Sequence, residues 1–276
     1  MFLQVKHTTR ITLAVFITLV MFFPVYWMLV TAFKSQQELQ LAIPTFWPER
    51  LMWENFSHLF DKIPFWRYFM NTAVQTAGIV LLQINIGLMA AYAFAKGSFP
   101  GREALFMLVL AALIVPEQVT FVPVYVMMAD LKWLNTFYAL IIPNAVSAYG
   151  IFLLRQTFRS INNDVIEAAK VDGANRLQVL YKLLTPMALP TVATLVVMSF
   201  IGSWNSYFWP LIMTNTNDMR VLTVGIAMMR DAIAGDEMLN FHYLMAASLI
   251  VIIPIVIVFA LAQKHIIAAM ANSTFK

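Results

Sequence analysis

The sequence contains no cysteine, which excludes disulfides and thiolate-bound metal. Charge is scarce: Asp, Glu, Lys and Arg make up 12% of the 276 residues, against about 25% in soluble domains. Hydrophobic residues fill 61%, against roughly 45–50% ordinarily, and mean hydropathy is +0.75. So apolar a chain is neither disordered nor a nucleic-acid binder, and its net charge of +4 is too small to mark a polyanionic partner. No G-x-x-x-x-G-K-[ST] loop is present to cradle ATP phosphates, and no G-x-S-x-G elbow to hold a nucleophile. His7, His58, His242 and His265 are scattered without a zinc spacing. No apolar segment carries a convergent acid–base set, so no catalytic residue and no metal site is expected in this chain.

What the sequence does have is long apolar runs. A bilayer core about 30 Å thick takes roughly 20 residues of helix. Six runs qualify: 11–33, 69–95, 104–122, 137–158, 188–213 and 241–263. The first follows a short basic head (Lys6, His7, Arg10). It is too long for a signal peptide and lacks a small-x-small cleavage site, so it reads as an anchor that stays. With the N-terminus placed inside, the inner segments hold eleven Lys and Arg against four acids. The outer segments hold seven against nine, and Glu117 lies at membrane depth. This asymmetry predicts cytoplasmic N- and C-termini. The expected fold is an all-α integral membrane protein, one transmembrane domain over 1–276. Outer segments 34–68 and 214–240 are long enough for structure of their own, as is the inner loop 159–187.

The inner loop is the most informative stretch. Asp164 followed by Glu167 has the spacing of a capping box, which predicts a short helix from Val165. Gly173 can supply a left-handed stop. Asn175 can cap a second helix, 176–184, which Pro186 ends or kinks. Ala168 and Ala169 leave the first helix low in profile, open to close approach by another protein. Lys170, Asp172 and Arg176 give it polar edges. An amphipathic hairpin lying on the membrane without a partner is the competing reading.

Glu167-Ala168-Ala169, three residues, then Gly173 resembles the EAA loop of bacterial ABC-importer permeases. The position between spans four and five of six agrees. Leu183-Leu184-Thr185-Pro186 stands where the family has Ile-x-Leu-Pro, with Thr185 departing from Leu. Ala90 to Ala95 followed by Phe99-Pro100-Gly101-Arg102 is similar to the second-span exit of sugar-type permeases. Pro116 and Pro123 bracket the end of span three as they do in that family, and Trp204 to Pro210 resembles its fifth-span signature. The chain is thus similar, from its first span to its tail, to the six-span permease subunits of maltose and glycerol-3-phosphate importers. The tail, Gln263 to Met270, departs from the family's glycine-rich ending.

The resemblance implies the type I ABC-importer fold and a division of labour. A second permease subunit completes the path, two ATPase subunits hold ATP and Mg, and an extracytoplasmic binding protein delivers a sugar. This chain itself would bind no cofactor. Glu167, Ala168, Ala169 and Gly173 carry the docking of the loop helix on an ATPase subunit, with Asp172, Arg176 and Pro186 as neighbours. Glycerol 3-phosphate is the alternative solute, and a stand-alone transporter or channel is the alternative of another kind.

Polar groups at membrane depth mark the expected path, because they are costly in lipid. Glu117 and Gln118 follow Pro116. Gln75, Gln83, Asn85, Asn144 and Ser147 lie within spans, where such groups also serve as hydrogen-bond glue between helices. Trp204, Tyr207 and Phe208 fall at i, i+3 and i+4, one helical face, beside Asn205. Aromatic rings stack on sugar faces and amides bond hydroxyls; an aromatic belt at the outer interface competes with this reading. Cations facing the path, which a phosphate would require, are missing from the spans, and this favours neutral sugars.

Overall fold

The structure, a computed structural model, describes residues 2–233 and 241–273. Asp236, Glu237 and Lys276, three of the charges assigned to loops, lie outside them. All regular structure among the described residues is helical. The chain divides into two compact units, Met1–Trp66 with Gly225–Pro254, and Arg67–Val224 with Ile255–Lys276.

In the first unit α1 (Phe2–Ala32) continues past Pro24. The segment that follows, 34–68, does fold, into α2 (Gln36–Leu39) and α3 (Glu54–Lys62). Buried Lys34 donates to the Thr45 carbonyl and lies 4.8 Å over the Trp27 ring. Buried Glu38 accepts from the Thr45 hydroxyl and from the Glu49 N–H. The Asn55 amide donates to the carbonyls of Ala32 and Lys34 at 2.9 Å each, which satisfies orphan carbonyls at the end of α1.

The second unit takes most of α4 (Phe65–Lys96), and its remaining helices are broken where single spans are expected. The third run is not one helix: α5 (Arg102–Ala112) and α6 (Glu117–Asp130) meet at 98°. Pro116 has no N–H to continue α5, and its extended backbone (ψ 133) starts α6 afresh. The fourth run bends by 42° between α7 (Phe137–Ile141) with its 3-10 turn Ile142–Asn144 and α8 (Ala148–Ser160). Next come α9 (Asn163–Val171) and α10 (Arg176–Gln178). The chain then widens into π-helix over Val179–Leu184 and continues as α11 (Thr185–Met187).

Pro186 therefore does not end this helix. The π turns ahead of it suit a residue that cannot donate, and the Thr185 hydroxyl donates to the Leu180 carbonyl at 2.8 Å. The break comes at Ala188, with an 85° bend into α12 (Leu189–Trp204). After Asn205, Ser206 and Tyr207, α13 (Phe208–Met213) begins. Then follow α14 (Leu222–Ile233) and α15 (Phe241–Ser273). Among the described residues three helical stretches are long and apolar enough to cross a membrane alone, Thr9–Ala32, Phe65–Lys96 and Phe241–Lys264; counting each bent pair as one span gives up to six.

Candidate functional site

The loop helix α9 is fixed at both ends by its own sequence. Its N-cap is Asn162, whose side chain accepts from the Asp164 N–H at 3.1 Å. The cap thus sits two residues before Asp164, and the helix starts at Asn163 rather than Val165. The third helical position is Val165, which cannot return the reciprocal bond, so Glu167 takes no part in capping. At the other end Gly173 is left-handed, with φ +82°. The Ala174 N–H donates to the Ala169 carbonyl at 2.9 Å and the Gly173 N–H to the Lys170 carbonyl at 3.0 Å, the paired bonds of a Schellman stop. Asn175 caps α10 with a full capping box: it accepts from the Gln178 N–H at 2.9 Å, and Gln178 accepts from its N–H at 2.8 Å.

Inward, Ile166 and Ala169 join a core of Leu88, Ala91, Leu154, Phe158, Val179 and Leu180, contributed by α4, α8 and the π segment. Outward, Glu167, Ala168, Asp172, Gly173 and Arg176 are exposed together. Val171, 88% exposed, and Leu177 stand among them, apolar side chains the sequence reading passed over. Ala169 is half-buried against the core, and Pro186 stands apart in α11.

The second feature is a cleft of about 510 Å3 on which three helix breaks converge. The break before α6 brings Glu117 and Phe121; that before α8 brings Asn144 and Ser147; that after α12 brings Ser206, Tyr207 and Phe208. Unbroken α4 contributes Gln83, and α12 contributes Ser199 and Ser203. Non-helical backbone at membrane depth is tolerated where it is buried in protein or lines a watery cavity, so three breaks meeting at one cleft mark that cavity. Gln83 ties it together. Its amide donates to the Asn144 carbonyl at 2.8 Å and its oxygen accepts from the Ser199 hydroxyl at 2.7 Å. Ser147 caps α8 by accepting from the Gly150 N–H at 3.0 Å. The Phe121 and Phe208 rings stack with centroids 4.4 Å apart.

Of the expected path residues, Glu117, Asn144, Ser147, Tyr207 and Phe208 line this cleft. Trp204 does not: it is buried, stacked on Phe200 and edge-on to Phe69. Gln118 is exposed off the lining. Asn205 is the C-cap of α12, its amide donating to the Ile201 carbonyl at 3.0 Å. Trp204, Tyr207 and Phe208 are not one helical face, because α12 ends at Trp204 and α13 starts at Phe208. Tyr149, Ser199, Ser203 and Ser206 also line the cleft; single serines and a lone tyrosine within apolar runs give no sequence signal. No Lys, Arg or His lines the cleft among the described residues.

Residues 83–272 match the profile of a family described as "Binding-protein-dependent transport system inner membrane component". The chain is 30% identical over 258 residues to the arabinooligosaccharides transport system permease protein AraQ of Halalkalibacterium halodurans, covering 92% of this chain and 91% of that protein. It is 30% identical over 260 residues to the sn-glycerol-3-phosphate transport system permease protein UgpE of Escherichia coli, covering 92% of each. In fold it is similar to a bacterial ABC transporter involved in import of the acidic polysaccharide alginate, with a TM-score of 0.82, 24% identity and coverage of 95% and 96%.

Proposed function

We infer the role of this chain from one premise: it belongs to the family of binding-protein-dependent transport system inner membrane components. It is a multi-pass, non-catalytic permease subunit of a bacterial ABC importer of the carbohydrate class. Residues 1–276 serve as one permease domain, with 159–187 as its cytoplasmic coupling loop and both termini in the cytoplasm. A second permease subunit completes the path. Two partner ATPase subunits hold ATP and Mg and supply the hydrolysis. An extracytoplasmic binding protein delivers the solute.

The observation that carries this reading is the doubly capped α9, exposed along Glu167, Ala168 and Asp172, and seated by Ile166 on a core shared by three helices. Such a helix turns a push from an ATPase subunit into rigid-body motion of the bundle, the kind of movement that alternating access needs. Exposed Val171 and Leu177 supply apolar contact for that partner.

The solute is a neutral sugar. The cleft presents amides, hydroxyls and aromatic rings, with Glu117 as its one charge among the described residues. An acidic side chain with no cation beside it among the described residues favours a neutral solute over an anionic one on this chain's side of the path. The chain's part is to line and gate the path, and the partner permease shares the contacts.

Because the sequence has no cysteine, single-cysteine labelling is clean. Asp172→Cys in inverted vesicles is expected to react with an impermeant maleimide, and in right-side-out vesicles to be protected. Reaction only from outside sinks the reading. Reconstitution with the ATPase subunits and binding protein is expected to give ATP-dependent uptake of a neutral oligosaccharide, with glycerol 3-phosphate as the negative control. Uptake without any ATPase points to a stand-alone transporter instead.

A further inference from the structure

The end of α4, the start of α5 and the end of α8 border a second cleft, of about 410 Å3. Lys96, Arg102, Arg155 and Arg159 line it, with Asn162 and Asn163 beside them. No carboxylate lines it among the described residues. Glu103 is exposed beside the cleft and is shared: Arg155 donates to both its oxygens at 2.9 and 2.8 Å, and Arg102 donates to one at 3.1 Å. Arg155 is held further by the Phe94 carbonyl at 3.2 Å and by the Phe106 ring, 3.7 Å from the guanidinium. At 3% exposure it is a fixed part of the wall.

Lys96 and Arg159 are different. Lys96 donates to neutral acceptors, the Ile161 carbonyl at 2.6 Å and the Asn163 side-chain oxygen at 2.7 Å. Arg159 is exposed in the last turn of α8. Four cations thus line one cavity, with a single acid paired to two of them. Like charges gathered this closely repel, and an anion in the cavity removes the penalty. Guanidinium forks and an ammonium match a phosphate group, which offers several acceptor oxygens at once.

The placement says which phosphate. Lys96 closes the apolar helix α4, and Arg102 opens α5, whose next turns expose Leu105 and Leu108. The cations therefore sit where apolar spans end, at headgroup depth, with an apolar track leading into the bilayer. Basic pockets between helices at a membrane face take acidic lipid headgroups.

We propose that this cleft binds the phosphate of an acidic phospholipid, with its acyl chains along Leu105 and Leu108. The proposal rests on membrane placement and not on the coupling role of α9, so the two fail separately.

The test uses the assembled transporter in neutral detergent, titrated with short-chain phosphatidylglycerol, short-chain phosphatidylcholine or inorganic phosphate, with bound lipid read by native mass spectrometry. Phosphatidylglycerol is expected to be retained in preference to phosphatidylcholine, and the more weakly the higher the salt. Arg159→Gln is expected to weaken its retention about fivefold, the worth of one cation near a charged membrane surface. Arg159→Lys is expected to restore it to within about twofold, since the charge is kept. Equal retention of both lipids overturns the proposal, as does an unchanged affinity in Arg159→Gln. Inorganic phosphate competing as well as the lipid overturns the lipid source. Loss of ATPase subunits from Arg159→Gln with lipid retention intact makes the cleft a seat for an acidic protein segment. If Arg159→Gln does not assemble, the salt series and the lipid preference of the unmodified complex decide.

Discussion

Gly173→Val isolates the backbone contribution to the loop. Gly173 sits at φ +82°, and a Cβ built there meets nothing within 4 Å in this chain. The substitution therefore introduces no clash, only the cost of a left-handed residue. That cost is about 1–2 kcal/mol for an L-residue, with β-branched side chains the least tolerant. It falls on the Ala174–Ala169 and Gly173–Lys170 bonds that stop α9. A nine-residue helix has little intrinsic stability to set against the loss. An equilibrium shift of about five- to thirtyfold toward an opened cap follows. Asn tolerates the left-handed region and should cost least; Ala should fall between Asn and Val. The assay is hydrogen–deuterium exchange across 163–174 in the assembled transporter, with ATPase stoichiometry and ATP-driven uptake measured on the same samples. Protection, stoichiometry and uptake should fall together in the order Gly, Asn, Ala, Val. Wild-type exchange and uptake in Gly173→Val would refute the reasoning. So would an equal loss of ATPase from all three variants with α9 still protected, because the partner would then be sensing the Cβ itself.

Asn162→Ala removes the other cap and should cost about 1 kcal/mol, seen as faster exchange at the first-turn amides of α9 while Ala174 stays protected. Tyr207→Ala, on the cleft, should lower uptake more than Phe16→Ala, on an exposed stretch of α1; equal effects would return Tyr207 to an interfacial belt. Gln83→Leu breaks two hydrogen bonds of roughly 0.6 kcal/mol each and should lower thermal stability by about 1 kcal/mol in a detergent melting assay, and an unchanged melt would mean that neither bond contributes.

The spans were legible because lipid imposes a length and a composition on whatever crosses it. Gly173 and Asn175 were legible because caps are local: each acts on backbone within a few residues. The cap at Asn162 was not chosen over Asp164, since both residue types cap well and the choice depends on where α8 stops. Helix breaks inside apolar runs were harder. Pro116 announces one, and Pro210 announces the other: lacking an N–H, it fits the first turn of a new helix at Phe208 and argues against the single period that aligns Trp204 with Tyr207. Asn205 looked like a path residue and serves instead the backbone of its own helix. The cleft assembles Glu117, Ser147, Ser199 and Tyr207 from four separate elements. Their proximity belongs to tertiary packing, which periodicity does not encode.

Lys96 has one more implication. Its ammonium clasps the Ile161 carbonyl and the Asn163 side chain, on either side of the joint where α8 gives way to α9. The joint is thereby tied to a neighbouring rod as well as to its own. Under the proposed coupling role, torque arriving at the loop is shared between α4 and α8, like a bracket braced across its corner.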